Sequence, residues 1–256
     1  MNFNILHFDT LESTNTEAAN QARAGVDEGL CVIADEQTAG RGRQGRSWTS
    51  TKGAGLFFSL VLRPTLEPRQ LPLITLMAAA AVYDILLKGF LIRPDIKWPN
   101  DILVDERKIC GILAEAVETP RGLAVILGIG LNLRTEAPIE NATSIEIEST
   151  FPVDRAEVVD VLMEHLAIGY ERLLSDPTAI VDDWRQRSSY FEGKAVQVTV
   201  GPDRVLLGVT DGLEANGALR IKRADGSVSI VQAGDVEQLR SDDRRQMGVE
   251  LSGGSV

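Results

Sequence analysis

The chain has 256 residues, 44% of them hydrophobic and 25% charged, with 23 glycines and 10 prolines. That composition excludes a disordered or collagen-like chain and suits one long domain or two unequal ones. The formal net charge of −11 argues against a surface that binds nucleic acid or anionic membrane, so any anion site has to be local.

Residues 4–8 alternate like a short strand, and Thr14 followed by Glu17 has the spacing of a capping box at the start of a helix. No basic segment followed by an apolar run opens the chain, which predicts a cytoplasmic protein. Residues 30–34 read as a strand. From Gln37 to Trp48 there is no periodicity, and Gly40, Gly42 and Gly45 alternate with Arg41, Arg43 and Arg46, which predicts a mobile loop. Residues 56–62 form a buried strand, and residues 68–88 carry a helical pattern expected to end at Gly89. The apolar run inside it, residues 71–87, is broken by Pro72, Thr75, Tyr83 and Asp84 and falls short of the roughly 20 residues of a membrane span. Strands follow at 96–98, 102–104 and 108–115, the last two joined by a turn at 105–107, and then at 123–133. Cys31 and Cys110 each sit in an apolar strand without CxxC spacing, which predicts buried free thiols.

After a polar stretch at 135–150, Asp154 and Glu157 open a helix with Val158, Leu162, Leu166, Gly169 and Leu173 on one face. Pro177 opens a shorter helix through Trp184. Beyond Gly193, five short alternating strands are separated by Gly201-Pro202, Asn216-Gly217 and Asp225-Gly226, which predicts a small β-barrel. Residues 241–256 are polar and read as a disordered tail. The expected fold is α+β: a mixed sheet with flanking helices over residues 1–190, then a small β-domain over 191–240.

Two features carry chemistry. Three arginines within six residues make a local cationic site in an acidic chain, and the glycines between them let the backbone approach an anion. Phosphate or carboxylate binding is one reading; a solvated charged loop or an RNA-binding segment are the others. The second feature is Lys97-Trp98-Pro99-Asn100-Asp101 with Lys108 beyond a tight turn, which gathers polar groups at a sheet edge where both lysines could face one cleft. The Gly128-Ile129-Gly130-Leu131-Asn132 segment lacks the third glycine of a dinucleotide fingerprint. With only His7 and His165, neither a metal cluster nor a Ser/His/Asp triad is expected.

Taken in order, Ser13-Thr14-Asn15, the Gln37 to Trp48 loop, Lys97 to Asp101, Arg107-Lys108-Ile109-Cys110-Gly111-Ile112-Leu113 and Gly128 to Asn132 resemble the biotin protein ligases. The resemblance implies a class II synthetase-like catalytic domain followed by an SH3-like C-terminal domain. It implies an ATP-dependent biotin–[biotin carboxyl-carrier protein] ligase, which makes biotinyl-5′-AMP and passes the acyl group to a carrier lysine. A lipoate or octanoate ligase of the same chemistry is the alternative. By this resemblance Ser13, Thr14, Asn15, Gln37, Gly40, Arg41, Gly42, Arg43, Lys108 and Gly111 bind biotin. Arg41, Trp48, Lys97, Asn100, Asp101 and Asn132 bind ATP, and Lys108 and Arg43 are catalytic. Mg2+ is expected to accompany ATP, with no protein metal site. A carrier protein is the expected partner and a homodimer a candidate assembly, with neither nucleic acid nor membrane. Because the first strand starts within a few residues of Met1, no DNA-binding domain is expected. Cys110 stands where the family pattern has a small residue.

Overall fold

Strand β1 (Asn4–Leu11) runs through helix α1 (Thr14–Arg23) into a parallel neighbour, β2 (Leu30–Gln37). The structure, a computed structural model, describes residues 1–48, 52–134, 141–201 and 204–238. Next come β3 (Gly55–Leu62), α2 (Leu73–Phe90), β4 (Asp95–Lys97), β5 (Asp101–Val104), β6 (Arg107–Thr119) and β7 (Gly122–Asn132). These strands form one mixed sheet in the order β1-β2-β3-β7-β6-β5-β4, antiparallel at every pairing after the first. All eight residues of β3 are buried, as a composition apolar but for Ser59 requires of a central strand covered on both faces. On one face α1 lays Ala18, Ala19 and Ala22 over Val32, Val61, Val117 and Ile126. The other face carries α2 together with α4 (Arg155–Ser175) and α5 (Ala179–Arg185), after the single turn α3 (Ile145–Glu148).

Local chemistry sets the ends of these elements. Asp154 caps α4 as expected, its Oδ1 accepting from Ala156 N at 2.8 Å and Glu157 N at 3.3 Å. The capping box at Thr14 does not form. Ser13 is the N-cap, and the Thr14 N–H and hydroxyl instead reach Gln37 Oε1 at 2.8 and 3.2 Å. Helix α2 does not stop at Gly89. It runs to Phe90, and exposed Leu91 takes the left-handed turn at φ 55°. That conformation puts Ile92 in the core and lets its N–H reach Leu86 O at 3.0 Å. The helical stretch Pro68–Phe90 is 23 residues and contains an 18-residue window of mean hydropathy 1.7, enough by length and composition alone to cross a membrane. Here it is the central core helix. The β5–β6 hairpin needs only Asp105 and Glu106, both at positive φ (48° and 64°), between Val104 and its partner Arg107.

Strands β8 (Glu192–Thr199), β9 (Val205–Leu213), β10 (Leu219–Lys222), β11 (Val228–Val231) and β12 (Asp235–Gln238) form an antiparallel sheet in the order β11-β10-β9-β8-β12. Pro202 and the expected tail at 241–256 lie outside the described residues. Val196, Val198, Leu206, Leu219, Ile221 and Val236 join the same continuous core as α2 and the large sheet. At the Asn216-Gly217 hairpin a Cβ on Gly217 would lie 2.8 Å from Leu76 Cδ1, and the Gly217 carbonyl accepts from Trp98 Nε1 at 2.9 Å.

Candidate active site

A cleft opens on the α1 face of the large sheet. Its inner end is built around Ser59, the one polar residue of β3. Ser59 Oγ lies 2.8 Å from Thr14 Oγ1 and 2.6 Å from Asn15 Oδ1, and Ser13, Thr14, Asn15 and Ser59 are all buried. Asn15 Nδ2 donates to Glu115 Oε2 at 2.9 Å and Leu113 O at 3.3 Å. The floor is glycine because side chains from above come down to the backbone. A Cβ on Gly128 would sit 2.1 Å from Asn15 Oδ1. On the cross-strand pair Gly111 and Gly130 it would sit 2.7 and 2.6 Å from the Trp48 ring. Gly128 and Gly130, which fail as a dinucleotide fingerprint, form with Gly111 a hollow cut for Asn15 and Trp48.

The arginine loop crosses the mouth. Gly42 N donates to Arg46 O at 2.6 Å and Trp48 N to Gly40 O at 2.8 Å, with one helical turn at Arg43–Gly45. Lys108 Nζ lies 2.6 Å from Asp101 Oδ1 and 5.3 Å from the Trp48 ring centroid. Arg43 reaches both sheets, donating to Asn100 Oδ1 at 3.2 Å and Gly234 O at 3.3 Å. Burial draws the Arg43 guanidinium below its usual pKa, and Asp235 and Asp101 oppose that shift. Each cation at the mouth has a carboxylate: Arg41 pairs with Glu115, Lys108 with Asp101, and Arg46 with Asp235 at 2.8 Å, which is 3.9 Å from Arg43. Trp48 Nε1 is buried without an acceptor among the described residues, a donor that a ligand could satisfy.

Of the residues singled out in the sequence, Ser13, Thr14, Asn15, Gln37, Arg41, Gly42, Arg43, Trp48, Asn100, Asp101, Lys108 and Gly111 line this cleft. Three do not. Gly40 closes the loop through its carbonyl, and Lys97 faces Asp101 across the β4–β5 pairing, outside the lining. Asn132 lies behind Lys108, its Nδ2 donating to Lys108 O at 3.4 Å and Thr143 O at 2.9 Å. The sequence reading missed Ser59 and Glu115. A lone serine in LFFSLVL was the available signal for the first; Glu115, in a strand that alternates loosely, offered none. Cys31 and Cys110 are buried and free, and burial pushes the Cys31 thiol up to about 12. Among the described residues no cluster of His, Cys, Asp or Glu could hold a metal.

The biotin/lipoate A/B protein ligase family model matches residues 7–132. The biotin–[acetyl-CoA-carboxylase] ligase of Paracoccus denitrificans is 34% identical over 239 residues, covering 88% of this chain and 96% of that protein. Its counterpart of the same name from Mycobacterium tuberculosis is 33% identical over 236 residues, covering 89% and 86%. The bifunctional ligase/repressor BirA of Bacillus subtilis is 39% identical over 183 residues, 69% of this chain, which spans 55% of that relative's length. Among solved structures, the biotin protein ligase from Aquifex aeolicus in complex with biotin and ATP superposes with a TM-score of 0.79 at 25% identity, over 93% of this chain and 99% of that one.

Proposed function

Because the chain belongs to the biotin/lipoate A/B protein ligase family, we propose that it is a biotin–[biotin carboxyl-carrier protein] ligase. The carboxylate oxygen of biotin attacks the α-phosphorus of ATP and pyrophosphate leaves. The amine of a carrier lysine then attacks the acyl carbon of biotinyl-5′-AMP, losing a proton as AMP departs. The observation that carries biotin rather than lipoate is the inner end of the cleft, where Ser59, Thr14, Asn15 and Gln37 crowd donors and acceptors into a buried corner. Such a polar corner suits the N–H and C=O groups of a ureido ring, which need hydrogen-bond partners when buried, and offers the dithiolane of lipoate no matching apolar wall.

Bringing a carboxylate against a triphosphate demands fixed positive charge, which strengthens its hold as charge builds on phosphorus and on the leaving group. Lys108, Arg43 and Arg41 ring the mouth for this role, Lys108 and Arg43 exchanging their carboxylate partners for substrate oxygens while Arg41 keeps Glu115 and offers its remaining N–H groups. Trp48, Asn100 and Asp101 serve the nucleotide end, and Lys97 and Asn132 brace it from outside the lining, across from Asp101 and behind Lys108. Mg2+ enters with ATP. Asp101 is the only carboxylate among the described residues lining the cleft, a donor set that fits an ion carried on phosphates rather than one caged by protein. Residues 1–190 would form the catalytic domain and 191–240 the small domain. The proposed setting is the cytoplasm, the partner a carrier protein, and neither membrane nor nucleic acid is bound.

ATP–pyrophosphate exchange with biotin, lipoate and octanoate offered separately tests the reading. Exchange with biotin alone is expected; exchange with lipoate or octanoate and none with biotin would reject it.

A further inference from the structure

On that reading Asn15 faces the head group of the substrate, and the structure shows what decides which end of its carboxamide does so. Nδ2 has two acceptors on β6, Leu113 O and Glu115 Oε2, while Oδ1 takes Ser59. A flipped amide would set Oδ1 against a carbonyl and a carboxylate, two contacts between acceptors. Glu115 therefore votes on the orientation. Its oxygen Oε2 also receives Arg41 Nη2 of the loop.

Burial alone gives no reason for a carboxylate there. Glu115 lies two residues before buried Val117 and pairs across the sheet with buried Ile126, both part of the apolar layer beneath α1. What its charge gains is the first turn of α1, where an anion is favoured, and a guanidinium from the loop. The same oxygen thus joins the residue at the bottom of the pocket to the residue at its lid.

We propose that Glu115 is a positioning residue that couples head-group recognition to loop placement; the proposal rests on the ligase reading. A ligand that holds Asn15 in place keeps Glu115 set to draw Arg41 down, so the loop settles over a loaded pocket. The carboxylate carries two separable duties: it is an acceptor for Asn15, which an amide oxygen can replace, and a charge for Arg41, which it cannot.

Two readouts separate them: biotin affinity by calorimetry without ATP, and the rate of tryptic cleavage after Arg41. Glu115→Ala is expected to weaken biotin binding by at least about tenfold, the loss of one charge-assisted hydrogen bond, and to speed cleavage after Arg41 by at least about fivefold through loss of the ion pair. Glu115→Gln keeps an acceptor, so biotin affinity stays within about threefold of the parent while cleavage is as fast as in the alanine variant. A residue serving only to support the fold would move both readouts together. Biotin affinity of Glu115→Ala within about threefold of the parent, or cleavage of Glu115→Gln at the parent rate, overturns the proposal. Should the alanine variant fail to fold, the cleavage rate of the glutamine variant decides alone. A parent protein that binds no biotin overturns the ligase reading and the proposal with it; a parent that binds, with either variant outcome above, overturns the proposal alone.

Discussion

At the scale of single residues the proposed chemistry turns on Lys108, whose ammonium sits between Asp101 and the Trp48 ring at the mouth of the cleft. In the proposed reaction its contact with both reacting anions strengthens as the acyl–phosphate bond forms, so Lys108→Ala should lower kcat/KM for adenylate formation by at least about 100-fold, roughly 2.7 kcal/mol of barrier. Far-UV circular dichroism should be unchanged; a variant within about threefold of the parent would remove Lys108 from the chemistry. Gly128 gives a second prediction. Its strand is held on both sides, by Ser59 on β3 and Leu113 on β6, so it cannot yield to a Cβ placed 2.1 Å from Asn15 Oδ1. Gly128→Ala should abolish biotin binding in calorimetry while costing only about 1–3 kcal/mol of stability; retained affinity would place the head group elsewhere. Lysines, arginines and motif glycines stand out in the sequence because their chemistry is intrinsic. Ser59 and Glu115 do not, because what marks them is the partner brought to them across 44 and 100 residues of chain.

Among the elements, strands and helices were readable where one residue dictates a boundary: Asp154 at the start of α4, or Asp105-Glu106 between β5 and β6. They were misread where tertiary contacts compete. Thr14 looks like a cap but serves Gln37, and Gly89 looks like a stop but burial of Ile92 carries the helix past it. A similar long-range tie braces α2. Arg187, just after α5, donates to both Asp84 oxygens at 2.9 and 3.1 Å, and Lys88 adds a third contact at 3.1 Å. Burial works to raise the Asp84 pKa, but these hydrogen bonds and charges outweigh it and hold the carboxyl below its usual value. A carboxyl whose pKa is lowered on folding stabilises the fold above its unfolded value, about 3.9, and loses that contribution as the pH falls through the folded one. Asp84→Asn should therefore cost about 1–2 kcal/mol at pH 7, with the deficit fading as the pH drops below about 4. Urea unfolding midpoints across that range check it; a deficit independent of pH would assign the loss to packing.

At the scale of the whole molecule the two sheets share one core. Trp98 and Gly217 are joined by a buried hydrogen bond, and Arg43 and Arg46 of the loop reach Gly234 and Asp235 of the small sheet. Separate composition in the sequence announced two units; it carried no sign that the second would hold the loop of the first. A chain ended at Phe191 should lose at least about tenfold in ATP–pyrophosphate exchange and unfold at lower urea, since a sheet of this size and its neighbour each leave apolar surface uncovered alone. Full activity in such a truncation would make the small sheet dispensable. The tryptophans are spread across this architecture in a way that favours spectroscopy. Trp98 lies at the junction and Trp184 deep in the core, both shielded from solvent, whereas Trp48 stands in the cleft on its glycine floor with an ammonium over its ring. Emission from an indole follows the charges and polarity around it, so one fluorophore reports the ligand and two report the fold. Titrating biotin and ATP should shift only the Trp48 contribution, and Trp48→Phe should silence the change while leaving the unfolding signal from Trp98 and Trp184 in place.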